Sequence, residues 1–165
     1  MEIKKLFEEF DEETIRSFVQ KNADYYITKW KVMAQSGSKL SWNWAAFLFP
    51  LVWLAYRKMH LYAVIYFLLL LGFSVAPKYL QTFMWLGLWI GIGMLGNYLY
   101  GRYAYNKLLE LKMRFTDENV FKTQVVKAGG TSVLGLFISA LTLFIIYLLG
   151  LFLFIAIIGI GLALK

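Results

Sequence analysis

The sequence predicts an all-α membrane protein with three or four transmembrane helices, an N-terminal amphipathic helix and a proline-broken segment that is re-entrant or interfacial. Three observations carry this expectation. Of the 165 residues, 60% are hydrophobic and only 16% are charged, against about 25% charged in an ordinary soluble domain. No Asp, Glu, Lys or Arg falls between Lys58 and Lys78, between Lys78 and Arg102, or between Lys127 and Lys165, and these intervals hold 19, 23 and 37 residues. About 20 mostly apolar residues cross a hydrocarbon core about 30 Å thick, so each interval has room for a span. The basic residues are also lopsided, with nine from the N-terminus through Lys58 and six from Arg102 to Lys127, but only Lys78 in between. By the positive-inside tendency the N-terminus and the long basic loop are expected in the cytoplasm and Lys78 outside.

The first periodic segment runs from about Asp11 to Ala34. Ile15, Phe18, Val19, Tyr26, Trp30 and Met33 recur there at helical spacings, and Asp11 or Glu12 is placed to cap the start. One amphipathic helix is expected. Its polar face carries Arg16, Lys21 and Lys29, and Tyr25 with Trp30 suits a headgroup region. Packing against the chain's own cytoplasmic loop is the alternative of equal weight.

Residues 40–56 read LSWNWAAFLFPLVWLAY, end at Arg57-Lys58 and contain Pro50. A proline inside the segment removes a donor and crowds the preceding turn, which favours a kinked or re-entrant pair of half-helices over a straight span. A full crossing would also set Arg57 and Lys58 opposite Lys29, Lys31 and Lys39. Met59 to Ala76 is the next span and stops at Pro77-Lys78, and Tyr79 to Gly101 returns. From Arg102 to Lys127 a helix, a turn at Thr116-Asp117 and a second short helix are expected. The last 37 uncharged residues would make a helix of about 55 Å, too long for one upright span and short for two. A long tilted or kinked helix after Gly129-Gly130 is the favoured expectation. A hairpin near Gly150, returning Lys165 to the cytoplasm, is the alternative.

Composition and spacing narrow the chemistry. With no cysteine and a single histidine, His60, neither thiolate chemistry nor a metal-ligand set is expected, and no serine or aspartate is spaced beside a base as a hydrolase requires. No catalytic residue, cofactor or metal is assigned. The net charge of +7 is accounted for by cations flanking membrane segments, so no nucleic acid partner is expected. The acidic opening, Glu2 through Glu13, differs from the basic start of a secretory leader, and no cleavage is expected. Residues 91–96 read GIGMLG and fit G-x-G-x-x-G, but inside an apolar span they point to close helix packing rather than a dinucleotide. Gly87 and Gly91, with Asn97 near the end of that span, are the candidate helix-packing residues. Trp30, Trp42, Asn43, Trp44, Arg57 and Lys58 are the candidate interfacial or lipid-contact residues, Asn43 to satisfy backbone groups freed by Pro50.

Three stretches, K-N-A-D-Y-Y at 21–26, S-W-N-W-A-A-F at 41–47 and Y-R-K-M at 56–59, resemble the recurring pattern of the DUF2628 family of small bacterial membrane proteins. A weaker echo follows in Gly96-Asn97-Tyr98-Leu99-Tyr100, so the resemblance spans roughly residues 18–110. It implies a bacterial inner-membrane protein with no established activity and no catalytic residues to carry over. The acidic N-terminus and the apolar tail after Lys127 depart from the pattern. The chain then divides into an N-terminal cytoplasmic amphipathic region, 1–39, a DUF2628-like membrane core, 40–127, whose basic cytoplasmic loop is 102–127, and a C-terminal apolar helix or hairpin, 128–165. The expected role is a non-enzymatic membrane component that forms a homo-oligomer or binds a membrane-protein partner, in contact with membrane lipids. A small channel, transporter or lipid-translocating protein is the alternative.

Overall fold

A computed structural model of the chain describes residues 2–138 together with 140, 141, 144, 145 and 148. Eight helices follow one another among these residues: α1 (Glu2–Glu9), α2 (Glu12–Val19), α3 (Ala23–Ser36), α4 (Trp44–Leu48), α5 (Pro50–Tyr56), α6 (His60–Ser74), α7 (Lys78–Arg114) and α8 (Glu118–Ala128). No strand occurs among the described residues.

Asp11 opens α2, its carboxylate accepting the Thr14 N–H at 2.6 Å. The expected single helix from Asp11 to Ala34 is instead two, α2 and α3. Gln20 and Asn22 take positive φ of 56° and 63°, and Asn tolerates this left-handed conformation at little steric cost. The apolar spacing carries through the break, which is why periodicity alone misses it. The turn lets Phe18 and Val19 on α2, and Tyr26, Ile27, Trp30 and Met33 on α3, bury themselves in the common core.

The proline break is where the sequence places it. Asn43 caps α4 by accepting the Ala46 N–H at 3.0 Å, and Pro50 occupies the first turn of α5, where its missing donor costs nothing. The two short helices form an elbow. At the other proline, the Gln81 amide closes the turn between α6 and α7 by donating to the carbonyls of Ser74 at 2.6 Å and Ala76 at 3.0 Å.

Helix α7 runs unbroken for 37 residues, about 55 Å of axis. It continues past Arg102, where the sequence places the edge of a span, and ends at Arg114 before the expected turn. Asp117 then caps α8 through the Val120 N–H at 2.9 Å. The two halves of α7 have different surroundings. From Ile92 to Leu111 it buries one face against α1, α2, α3 and α4, whereas Tyr79, Phe83, Trp85, Leu86, Trp89 and Ile90 are exposed, as are Leu61, Val64, Ile65 and Leu68 on α6. Among the described residues α7 alone is long and apolar enough to cross a membrane, and α6 is a shorter apolar helix. Only 17% of the most apolar 18-residue window of α7 is buried in the protein, unlike the core helix of a soluble domain. A further helical stretch opens at 133. The choice between one long helix and a hairpin turns on residues 149–165 and falls outside the described residues.

Candidate functional site

The three sequence motifs meet at one place, around residues 93–101 of α7. Gly93 and Gly96 supply the room. A Cβ at Gly96 would lie 2.8 Å from the Ala46 Cβ, and one at Gly93 would lie 3.0 Å from the Phe47 Cβ. Without side chains there, the loop 41–43 approaches the helix closely enough for the N–H groups of Ser41 and Asn43 to donate to the carbonyls of Met94 at 2.9 Å and Gly93 at 2.8 Å.

An asparagine pair fixes this contact. The Asn43 side chain donates to Asn97 Oδ1 at 2.9 Å, while Asn97 Nδ2 lies 3.1 Å from Ser41 Oγ and 3.2 Å from both the Trp42 carbonyl and the Tyr25 hydroxyl. The Trp30 indole donates to the Asn97 carbonyl at 2.7 Å. Both asparagines are buried, and a buried amide is stabilising only when its hydrogen bonds are made, so the network enforces one register of loop on helix. Tyr25 completes it by donating to the Trp42 carbonyl at 3.1 Å, and burial pushes its hydroxyl pKa up.

About one turn further along α7 lies a buried cation. Arg57 is 2% exposed, its guanidinium resting over the rings of Tyr26 at 4.5 Å and Tyr100 at 5.0 Å. No carboxylate pairs with it among the described residues. Its Nη2 donates to the Lys21 carbonyl at 2.9 Å and its Nη1 to the Val19 carbonyl at 3.3 Å, while Nε has no partner. The Val19 carbonyl ends α2, at the negative pole of that helix, and the Lys21 carbonyl belongs to the turn that follows; the two stand in for an anion. Lys58, at φ 59°, does the same for α8, donating to the carbonyls of Lys127 at 3.1 Å and of Gly129. The adjacent pair thus ties two helix C-termini to the end of the elbow. Tyr103 adds a hydrogen bond to the Lys58 carbonyl at 3.1 Å, and Ser132 one to the Tyr56 carbonyl at 2.8 Å.

Several expected site residues change role. Trp30, fully buried, and Asn43 and Arg57, both 2% exposed, do not face a headgroup region. Trp30 and Asn43 are held inside because their polar atoms are taken up by backbone or amide partners, and Arg57 because Nη1 and Nη2 are. Lys58 is half-buried and spends its ammonium on two carbonyls. Asn43 caps α4 and grips Asn97 rather than serving groups freed by Pro50. Trp44 is 65% exposed and Trp42 is half-buried against Phe47, with rings 4.9 Å apart. Asn97 packs as a helix-contact residue. Gly87 and Gly91 meet nothing within 4 Å among the described residues, where the close approach is made at Gly93 and Gly96 instead. Sequence reasoning left Tyr100, Trp53 and Gly101 out of the site. Trp53 donates to the Tyr26 hydroxyl at 3.2 Å, and Gly101 faces Ile3 and Trp30 with no space for a Cβ. The run of tyrosines and glycines from Gly96 to Gly101 was the available signal.

The arrangement is a lock. Most of its polar atoms are satisfied internally, and no group of three or more His, Cys, Asp or Glu that could hold a metal occurs among the described residues. Above the elbow an apolar groove of about 310 Å³ is lined by residues including Pro50, Val52, Tyr66, Leu70 and Trp89. A family model described as a protein of unknown function (DUF2628) matches residues 9–115, a stretch that contains the asparagine pair and Arg57 with its tyrosines. No curated protein and no solved structure matches the chain.

Proposed function

This chain belongs to the DUF2628 family, and from that premise we propose that it is a non-enzymatic integral membrane component of the bacterial inner membrane that associates with itself or with a membrane-protein partner. The carrying observation is the exposed apolar hairpin: α6 and the first half of α7 present Leu61, Val64, Leu68, Phe83, Trp85 and Ile90 outward, without an Asp, Glu, Lys or Arg between Lys78 and Arg102. Such a surface is costly in water and at home in hydrocarbon. In this arrangement α6 and α7 span the bilayer, the elbow α4–α5 dips in from one side, and the helices α1–α3 and α8 lie on the cytoplasmic face with the cations. The apolar lining of the groove above the elbow favours a lipid chain over an ion as its content, which gives the alternative of an ion-conducting path little support.

The outward glycines of α7 support association. Gly87 and Gly91 meet nothing within 4 Å among the described residues, and a small-xxx-small face lets a second helix approach to backbone contact. Mass measurement in mild detergent tests this: the parent should run larger than one chain or carry a co-purifying membrane protein, and G87L/G91L should lose it. A strictly monomeric parent with no co-purifying partner would sink the proposal.

A further inference from the structure

Six cations of the polar unit are paired with carboxylates. Lys4 meets Glu8, Arg16 meets Glu12 and Asp24, Lys31 meets Glu12, Arg102 meets Glu2, Lys107 meets Glu110 and Lys122 meets Glu118, all within 3.6 Å. Among the cations outside these pairs, Lys112 lies over Phe10 and Arg114 over Phe115, whereas three lysines lie over tyrosines. Lys21, Lys29 and Lys39 form no ion pair among the described residues, and each ammonium rests instead over a tyrosine ring, Tyr56 at 5.7 Å, Tyr25 at 5.8 Å and Tyr98 at 5.2 Å.

The three tyrosines lie at one level of the molecule. Tyr25 touches Asn97, Tyr98 follows it on α7, and Tyr56 adjoins Arg57, whose guanidinium stacks on Tyr100. Positions 97–100 span about 5 Å of helix axis. This level lies between the exposed apolar hairpin, which reaches Ile90, and the first charge of α7 at Arg102. Leu40, Trp44 and Tyr25 are exposed near the same level, at 57%, 65% and 40%. An aromatic ring beside an ammonium suits a lipid headgroup layer, because the ring orders the lysine stem while leaving the ammonium hydrogens free for a phosphate.

We infer that Lys21, Lys29 and Lys39 form a binding belt for the phosphodiester headgroups of anionic phospholipids. The belt rests on the membrane placement proposed above and adds lipid selectivity to it. Carboxylate-free ammonium groups complement the headgroup charge, and the neighbouring apolar faces of α6 and α7 accept the acyl chains of the same lipid. A soluble phosphate or a nucleic acid would lack that second contact.

The test is spin-labelled lipid association in proteoliposomes of mixed phosphatidylcholine and phosphatidylglycerol, comparing the anionic with the zwitterionic label. The parent should prefer the anionic label, and added salt should weaken the preference. K21Q/K29Q/K39Q should lower it by about five-fold or more, while K4Q/K107Q/K122Q, which removes paired cations, should leave it intact. Circular dichroism of both variants checks that the helices persist. No preference in the parent, full preference in the first variant, or equal loss in both variants would overturn the inference. Release of the parent from membranes by carbonate washing would overturn the membrane placement itself, a separate readout.

Discussion

Arg57 shows how a buried charge is tolerated without a counter-ion. A helix-end carbonyl, a turn carbonyl and two tyrosine faces replace water around the guanidinium, and its planar shape is what allows stacking and donation at once. R57M should lower stability by about 2–4 kcal/mol, since it leaves the Val19 and Lys21 carbonyls without their donor, and R57K should restore only part of this. Thermal melting in detergent followed by near-ultraviolet dichroism gives the answer, and an unchanged midpoint for R57M would refute the role. Glycines give a second residue-scale contrast. G96A sets a methyl 2.8 Å from the Ala46 Cβ and should cost about 1–3 kcal/mol as α4 is pushed off α7. G87A, with nothing within 4 Å among the described residues, should be neutral or up to about 1 kcal/mol stabilising in the same melt.

Among elements, α2 is the most dependent on side-chain charge. The Thr14 backbone N–H holds the Asp11 carboxyl below its ordinary pKa of 3.8, and hydrogen bonds from Lys31 and then Arg16 hold Glu12 below 4.5. Both groups have lowered values in the folded state, so their contribution is present above about pH 4.5 and is lost as pH falls through the folded values. Titration from pH 7 to pH 3 should therefore weaken the packing of α2 on α3 and α8, with no matching loss on the alkaline side up to pH 9. D11A should cost about 1 kcal/mol at pH 7 by removing the cap and should flatten the acid limb. Stability of D11A that falls with acid as steeply as the parent's would contradict this account. The elbow α4–α5 relies on no titrating carboxylate: Asn43 caps its first half and Pro50 starts its second.

At the scale of the whole molecule, the polar and apolar ends are joined by one helix, α7, which carries the exposed hairpin face at its start and the lock and the surface that packs α1–α3 beyond it. The chain has no cysteine, so single cysteines report topology without background. K78C should react with a membrane-impermeant thiol reagent in intact cells, and K39C only after the membrane is opened. Labelling of K39C but not K78C in intact cells would invert the proposed orientation.

The sequence by itself determined the helical class, the turns at Pro50, Pro77 and Thr116-Asp117, a cap at Asp11 or Glu12 and the family motifs, because each depends on the chemistry of neighbours within a few positions. Periodicity failed at Gln20–Asn22, where two positive φ values turn the chain without disturbing the apolar spacing. It also misjudged which polar residues face outward. Only the tertiary structure decided that Arg57 and Asn43 are interior, that Gly93 and Gly96 rather than Gly87 and Gly91 make the close approach, and that Lys58 caps α8. The partners that settle these roles lie 36 to 71 positions away along the chain. A buried cation satisfied by remote carbonyls leaves the same local sequence signature as a cation at a membrane edge, and only the packing of distant helices separates the two.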